Sequence, residues 1–366
     1  MFPNVTIYFA NVNQVVLLVS ANEKELTLNR ISKITPYMTS RPPSSASGKP
    51  MPPVEFSDQT AWAAWLYFVD EMTQSDVAKA LGVSRVTVVK LLNDAKERGL
   101  VNVRINPSLA ARVKTSRLLA ETYRLNSAIV VPENPQRPMI KQLGDASAFL
   151  LLDGLTKGDV VGVAWGKTVL AAIEIMQLEQ PVDDLTVVQV AASPNGLSAD
   201  FSPELCVSLC ANKLGARSVS LMAPALLSSP ELKAMLLNEP TIRNQMDVIR
   251  SANKVIFGVG QLSADATLRE SELHSAATID KMVKSGCVGA LLGRFIDDNG
   301  AEMTGPTHDR MLGLSLDELR SIPKRVCIAG GKDKFAAILA TLRGRFVTDL
   351  IIDLPTAEML IEAAET

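Results

Sequence analysis

The sequence predicts an α/β protein in two parts: a helical unit over residues 54–108 and a doubly wound α/β domain over residues 109–366. Three observations carry this. Apolar side chains recur at helical spacing from Asp58 to about Arg98, interrupted by Gly82. Further on, short β-like apolar runs alternate with helical stretches. Most of those runs are continuously apolar, as parallel strands covered on both faces must be.

Residues 1–53 read as apart from the rest. They end in R-P-P-S-S-A-S-G-K-P-M-P-P, from Arg41 to Pro53, where proline removes backbone donors and serine and glycine add freedom, the composition of a linker. The part before it is too short to bury its own core. Two readings stay open: an upstream start artefact with Met51 as the true start, which is favoured, or a short docking arm. The apolar run Val15 to Val19 follows no basic segment and precedes no cleavage site, which argues against a signal peptide. No apolar run approaches bilayer-spanning length, so no membrane partner is expected.

In the helical unit, Ala61, Trp62, Trp65, Leu66 and Val69 share one apolar face. The strongest local signal follows, T-Q-S-D-V-A-K-A-L-G-V-S-R-V-T-V-V-K-L-L from Thr73 to Leu92. Thr73 can cap a first helix, with Asp76 in its acid-favouring first turn. Val77 and Leu81 point inward, small Ala78 lets a second helix cross closely, and Gly82 supplies the positive-φ turn residue. Ser84 caps the second helix, which Val88, Leu91 and Leu92 pack down. Two helices joined by a short glycine turn form a helix-turn-helix, and the alternative is an ordinary α-hairpin. On the first reading, Arg85, Thr87 and Lys90 face the major groove of double-stranded DNA, beside the cap Ser84, and Thr73 and Gln74 touch phosphates. Gly99 ends the helices, Leu100 to Ile105 alternates like a strand, and Pro107 closes the unit. Its cations Lys79, Arg85, Lys90, Lys96, Arg98 and Arg104 are offset by Asp58, Asp70, Glu71, Asp76, Asp94 and Glu97. One copy should therefore bind DNA weakly, and an oligomer is expected.

In the larger domain, the expected strands are Ala128 to Val131, Val160 to Ala164, Leu185 to Val190, Ser218 to Met222, Lys254 to Val259, Arg325 to Ala329 and Phe346 to Ile352. Helices are expected over Lys141 to Leu155, Thr168 to Gln177, Pro203 to Leu214, Glu239 to Ala252 and Lys332 to Leu342.

Composition sets the remaining bounds. With 366 residues, 47% hydrophobic and 21% charged, the chain is globular and long enough for about two domains. Its net charge of −2 excludes binding nucleic acid as a bulk polycation, so any DNA contact needs a local basic face. The 4 cysteines, Cys206, Cys210, Cys287 and Cys327, form no C-x-x-C pair, and the 2 histidines are His274 and His308. No metal site or cofactor is expected from such a set. Cys206 and Cys210 read as small buried side chains in a reducing cytoplasm.

These residues resemble the SorC family of sugar-responsive bacterial transcriptional regulators from about Ala61 to the C-terminus. The motifs, in order, are A-W-L-Y-F-V-D-E-M-T-Q-S-D-V-A from Ala64, G-V-A-W-G-K-T from Gly162, L-G-A-R-S-V-S-L-M-A-P from Leu214 and N-E-P-T-I-R from Asn238. G-V-G from Gly258, G-C-V-G-A-L-L-G-R-F from Gly286 and G-G-K-D-K-F-A-A-I from Gly330 complete the set. The resemblance implies a sensor domain similar in fold to glucosamine-6-phosphate deaminase and ribose-5-phosphate isomerase. It further implies a cytoplasmic regulator, often tetrameric, whose affinity for operator DNA is set by a sugar, sugar phosphate or polyol. The first 53 residues lie outside the pattern.

Ligands of open α/β sheets bind beyond the carboxyl ends of strands. Three loops at such ends carry suitable residues. Trp165, Gly166, Lys167 and Thr168 offer a stacking ring, an open backbone and a hydroxyl at a helix N-terminus. Gly258 and Gly260 bracket the second loop. Gly330 and Gly331 lead into a helix with Lys334 one turn inside, suited to a phosphate or a ring hydroxyl. Gln189 and Asn195 could hydrogen-bond hydroxyls. Ala290 stands where the family pattern often has a sugar-binding aspartate, which puts ordinary phosphosugar recognition in doubt. Each glycine pair could instead be a plain turn, and the lysine a solvated one.

Two rivals remain. The same sensor fold hosts sugar-phosphate isomerases and deaminases, so an enzyme is the first. Catalysis there needs a placed acid or base, and no carboxylate cluster lies in the glycine loops, so no catalytic residue is assigned. A scaffold with a dead sensor is the second, supported by Ala290 alone.

Overall fold

A computed structural model describes residues 4–11, 14–20, 50–53, 56–105, 107–178, 180–194 and 201–365. The chain divides into two units, Met1–Ala110 and Ala111–Thr366.

In the first unit, β1 (Asn4–Asn11) and β2 (Gln14–Ser20) pair antiparallel, and β1 also pairs in parallel with β3 (Val101–Ile105). Part of the segment that read as separate therefore shares a sheet with the strand expected after Gly99. Between them lie α1 (Gln59–Phe68), α2 (Gln74–Leu81) and α3 (Arg85–Glu97). The caps fall where the side-chain chemistry puts them. The Thr73 hydroxyl accepts the Asp76 N–H at 3.2 Å, and the Ser84 hydroxyl accepts the Thr87 N–H at 3.1 Å. Each such cap contributes about 1 kcal/mol. Gly82 closes α2 at φ +64°, a left-handed conformation that a side chain would strain. Its tight space matters too, because a Cβ there would meet Pro50 Cδ at 2.6 Å. Trp62, Val77, Leu81, Val88 and Leu92 fill the core between the three helices. Arg98 ties the end of α3 to Asp58 at 2.7 Å and to Asp94 at 3.2 Å.

Helix α4 (Pro107–Tyr123) begins at the proline that read as closing the first unit, since proline suits a first helical turn where the N–H has no partner. The second unit continues through β4 (Ser127–Val131), α5 (Met139–Leu152), β5 (Val160–Val163), α6 (Lys167–Ile175), β6 (Thr186–Gln189), α7 (Pro203–Leu214) and β7 (Arg217–Val219). It then runs through α8 (Pro230–Asn238), α9 (Pro240–Arg250), β8 (Lys254–Gly258), α10 (Thr267–Glu270), α11 (Ala276–Lys284), β9 (Gly289–Leu291) and β10 (Arg294–Ile296). Helix α12 (Leu316–Ser321), β11 (Lys324–Ile328), α13 (Phe335–Arg343), β12 (Asp349–Asp353) and α14 (Leu354–Glu365) complete it.

The seven expected runs all contribute strands to one seven-stranded sheet of order β4-β12-β11-β8-β5-β6-β7, parallel throughout. Successive strand residues enter different cores, one on each face. Val255 and Phe257 of β8 join the first, with Met246, Ile279 and Leu360. Ile256 joins the second, with Leu143, Ile173 and Val207. This alternation explains why the strands read as unbroken apolar runs: both faces are covered. From β5 the chain winds outward through β6 and β7, and from β8 it winds the other way through β11 and β12. The crevice between β5 and β8 is thus the topological switch point, where open sheets bind ligands. All four thiols are free and buried. Burial pushes Cys206 and Cys210 up to about 12, so both stay neutral. Among the described residues, no helix is long and apolar enough to cross a membrane.

His274 is buried and lies against Phe295, with ring centroids 4.5 Å apart. Its Nε2 is 2.8 Å from the Gly293 carbonyl and must donate to it, which leaves Nδ1, 3.2 Å from the Thr307 hydroxyl, to accept. Burial holds this ring below the ordinary histidine value of 6.5, against the pull of the Gly293 carbonyl. The unfolded chain therefore takes up a proton before the folded one does as the pH falls. His274 should favour the folded state fully above pH 6.5 and progressively less as the pH drops below it. Urea midpoints at pH 7.5 and 5.5 measure this: the fall should be smaller for His274→Gln than for the natural chain. Equal falls would assign the acid sensitivity elsewhere.

Candidate functional site

The loops following β5, β8 and β11 leave neighbouring parallel strands at the same edge of the sheet. After β5, Trp165 turns into Gly166, whose φ of 128° a side chain rarely adopts, and α6 starts without a side-chain cap. The indole of Trp165 stacks on Phe201 with centroids 6.3 Å apart and planes at 9°. The Lys167 ammonium lies 5.4 Å from the centroid of the same Phe201 ring and 2.7 Å from the Glu270 carboxylate. Thr168 is half-buried in the first turn of α6.

After β8, Gly258 leads to Gly260, which exchanges both backbone hydrogen bonds with Ala290 at 2.9 Å. Two residues singled out separately in the sequence are thus one bridge, with Ala290 buried beneath the loop. The next residue, Gln261, has a buried amide oxygen with no hydrogen-bond partner. A buried acceptor left alone costs about 1–3 kcal/mol, so a donor is wanted there.

After β11, Gly331 donates its N–H to Asp353 Oδ1 at 2.7 Å. A Cβ on Gly330 would lie 2.4 Å from that same oxygen, so only glycine allows the approach. The turn delivers Lys334 half-buried just before α13. Its backbone N–H donates to the Gly331 carbonyl at 2.9 Å, and among the described residues its ammonium makes no hydrogen bond or ion pair. Burial pushes its ammonium below the ordinary lysine range, Asp333 and Cys327 pull the other way, and the Lys167 charge adds to the lowering. The loops after β5 and β11 therefore present two cations to one electrostatic neighbourhood.

Gln189 is placed differently. It is buried, its Nε2 donates to the Ala191 carbonyl at 3.0 Å and the Ser193 hydroxyl at 3.1 Å, and its Oε1 accepts the Leu221 N–H at 3.1 Å. Its amide is spent inside the protein. Asn195 lies outside the described residues. Phe201, Gln261, Glu270 and Asp353 join the neighbourhood without having been singled out. Asp353 had a signal, as the first residue of D-L-P-T at a helix start, but Phe201 had none.

In the first unit, Arg85 Nε lies 3.3 Å from Gln74 Oε1, so the starts of α2 and α3 are linked side chain to side chain. Ser84 and Thr87 share a hydroxyl–hydroxyl bond of 2.9 Å. Thr73 spends its hydroxyl on Asp76, donating to Oδ2 at 2.7 Å. Arg85 and Lys90 are exposed.

A capped helix pair with exposed Arg85 and Lys90 is joined in one chain to an α/β domain with cationic strand-end loops, and its relatives place this combination in the class of transcriptional regulators. The sugar-binding domain family (Sugar-bind) matches residues 108–362. The transcriptional regulator YjhU of Escherichia coli K12 is 33% identical over 315 residues, 83% of this chain and 94% of its own. The erythritol catabolism regulatory protein EryD of Brucella abortus is 30% identical over 304 residues, 82% of this chain and 95% of its own. The crystal structure of the full-length sorbitol operon regulator SorC from Klebsiella pneumoniae shares the fold, with a TM-score of 0.65 at 24% identity over 82% of this chain and 98% of that one. The chain belongs to the SorC family of sugar-responsive transcriptional regulators.

Proposed function

We propose that this regulator controls a carbohydrate or polyol catabolic operon from the cytoplasm, as a homotetramer. Its α2–α3 pair acts as a helix-turn-helix on double-stranded operator DNA, and a small sugar, sugar phosphate or polyol sets that affinity. The observation that carries the sensor reading is Lys334, a half-buried ammonium without a partner among the described residues, beside the Lys167 loop. An unpaired cation held away from water favours an anionic or strongly hydrogen-bonding ligand. Trp165, Gly166, Lys167, Thr168, Gly258, Gly260, Gly330, Gly331 and Lys334 form the proposed pocket, with Gln261 added and Gln189 assigned to its support. A thermal-shift panel of polyols, pentoses, hexoses and their phosphates tests this, with a raised melting temperature expected for one class. Turnover of an aldose phosphate by the purified chain would favour a sugar-phosphate isomerase or deaminase instead.

On the DNA side, Thr73 and Gln74 face phosphates, and Arg85, Thr87 and Lys90 project from α3 beyond its Ser84 cap. Arg85→Ala is expected to weaken binding to a selected operator by about 1–3 kcal/mol and to relax preference at one base pair. Footprinting and titration measure it. Unchanged affinity and preference would remove Arg85 from the readout. The near balance of charge in this unit supports an oligomer, since one copy alone would hold DNA weakly, and the family resemblance implies that this oligomer is a tetramer. Sedimentation of the full chain measures that directly.

A further inference from the structure

Helix α3 carries two valines that its own fold does not use. Val86 is 67% exposed and Val89 is 39% exposed. The inward face of the helix is already filled by Val88, Leu92 and Ala95, all buried. At 100° per residue, Val86, Lys90 and Asn93 lie opposite the buried row, with Val89 beside them and Arg85 nearer its edge. All five are exposed. The outer face is therefore neither a uniformly polar solvent face nor a plain apolar contact patch. Methyl-bearing side chains alternate with cations within the first two turns.

Valine is a poor choice for a solvated helix position. It lowers helix propensity, and it leaves branched apolar surface in water. Two of them between Arg85 and Lys90 therefore call for a partner with apolar points set in a negatively charged frame. The major groove of DNA has this character: phosphates line its edges, and the 5-methyl group of each thymine projects into it. Val86 and Val89 are about 4.5 Å apart along the helix axis. Stacked bases are about 3.4 Å apart. A helix lying in the groove would thus bring the two valines to neighbouring base steps.

We propose that Val86 and Val89 are specificity residues that read thymine methyl groups in the operator half-site, next to the base pair taken by Arg85. The inference rests on the DNA-reading role of α3 and adds the chemical identity of what is read: A·T pairs, recognised by apolar contact from the thymine side.

The test uses the full chain and duplexes it selects from a random-sequence DNA pool. Each thymine of the selected half-site is then replaced by deoxyuridine, which keeps base pairing and removes only the methyl. One or two positions should lose about fourfold in affinity each, the worth of one such group withdrawn from water. Val86→Ser or Val89→Ser should cause a similar loss on the thymine duplex and no further loss on the uracil duplex. Both side chains lie outside the core, so melting temperature should not change. Selection of a sequence whose uracil forms bind as tightly as the thymine form would overturn the methyl reading and leave DNA recognition standing. Failure to enrich any sequence would overturn both. A change of oligomer mass in Val86→Ser, with uracil sensitivity intact, would make this face a contact between copies and likewise overturn the proposal.

Discussion

Replacing Lys334 by alanine is expected to abolish the effector's control of DNA affinity while the chain stays folded and still binds DNA. The ammonium is half-buried and makes no hydrogen bond or ion pair among the described residues. The folded protein thus loses no internal bond when it is removed, and relief of an unfavourably buried cation offsets the lost packing of its stem. The effector loses the group that would pair with it. A ligand shifts an equilibrium only by the difference in its affinity for the two states, so removing that difference removes the response however well DNA is still held. Lys334→Arg keeps a cation and should keep part of the response if the effector is anionic, whereas a neutral polyol would not reward it. Calorimetric titration with the compound found in the thermal-shift panel, run on the natural chain and both variants, separates these cases. Natural-strength effector binding by Lys334→Ala would take this lysine, and with it the Gly330–Gly331 loop, out of the pocket.

The sheet was legible because its physics is local and repeated. Most expected strands are short apolar runs buried on both faces, the exposed edge strand β7 being the exception, and such runs need no knowledge of their neighbours. The caps Thr73 and Ser84 and the turn residue Gly82 were legible for the same reason: each acts within three or four residues of itself. The pocket was only half legible. Gly166, Gly260, Gly331 and Lys334 were visible as glycine loops after strands. That Gly260 pairs with Ala290, or that Phe201 covers Trp165, depends on contacts across tens of residues that no periodicity encodes. Gln189 shows the converse. At a strand end it reads as a ligand donor, but its amide closes three bonds to Ala191, Ser193 and Leu221. A polar residue is free for ligand only when the fold has not already claimed it, and sequence does not record that claim. The short β9–β10 hairpin was missed as structure because three-residue strands carry no period.

Asp353→Ala is expected to have the largest effect on stability of any single change near the pocket, about 3 kcal/mol or more, and to weaken effector binding with it. This carboxylate stands at the end of β12 and is buried. Oδ1 accepts the Gly331 N–H at 2.7 Å, and Oδ2 accepts the Thr356 N–H at 3.1 Å and its hydroxyl at 2.9 Å. One group thus caps α14 and fixes the glycine turn that presents Lys334. Alanine would leave two buried backbone donors without acceptors, each costing about 1–3 kcal/mol. Asparagine would restore one acceptor and set its NH2 against the other donor, so it should recover only part of the loss. Thr356→Ala removes a single hydroxyl bond and should cost about 1 kcal/mol. Urea unfolding reports the global changes, read from midpoints at constant slope. Hydrogen exchange of the Gly331 and Thr356 amides locates them: both should lose protection in Asp353→Ala and keep it in Lys334→Ala. The two variants then separate holding the loop from holding the ligand. Asp353→Ala should lower stability and effector affinity together, and Lys334→Ala should lower effector affinity alone. A stability change below about 1 kcal/mol for Asp353→Ala, with both amides still protected, would mean that the backbone of this turn holds itself and that Asp353 does not position Lys334.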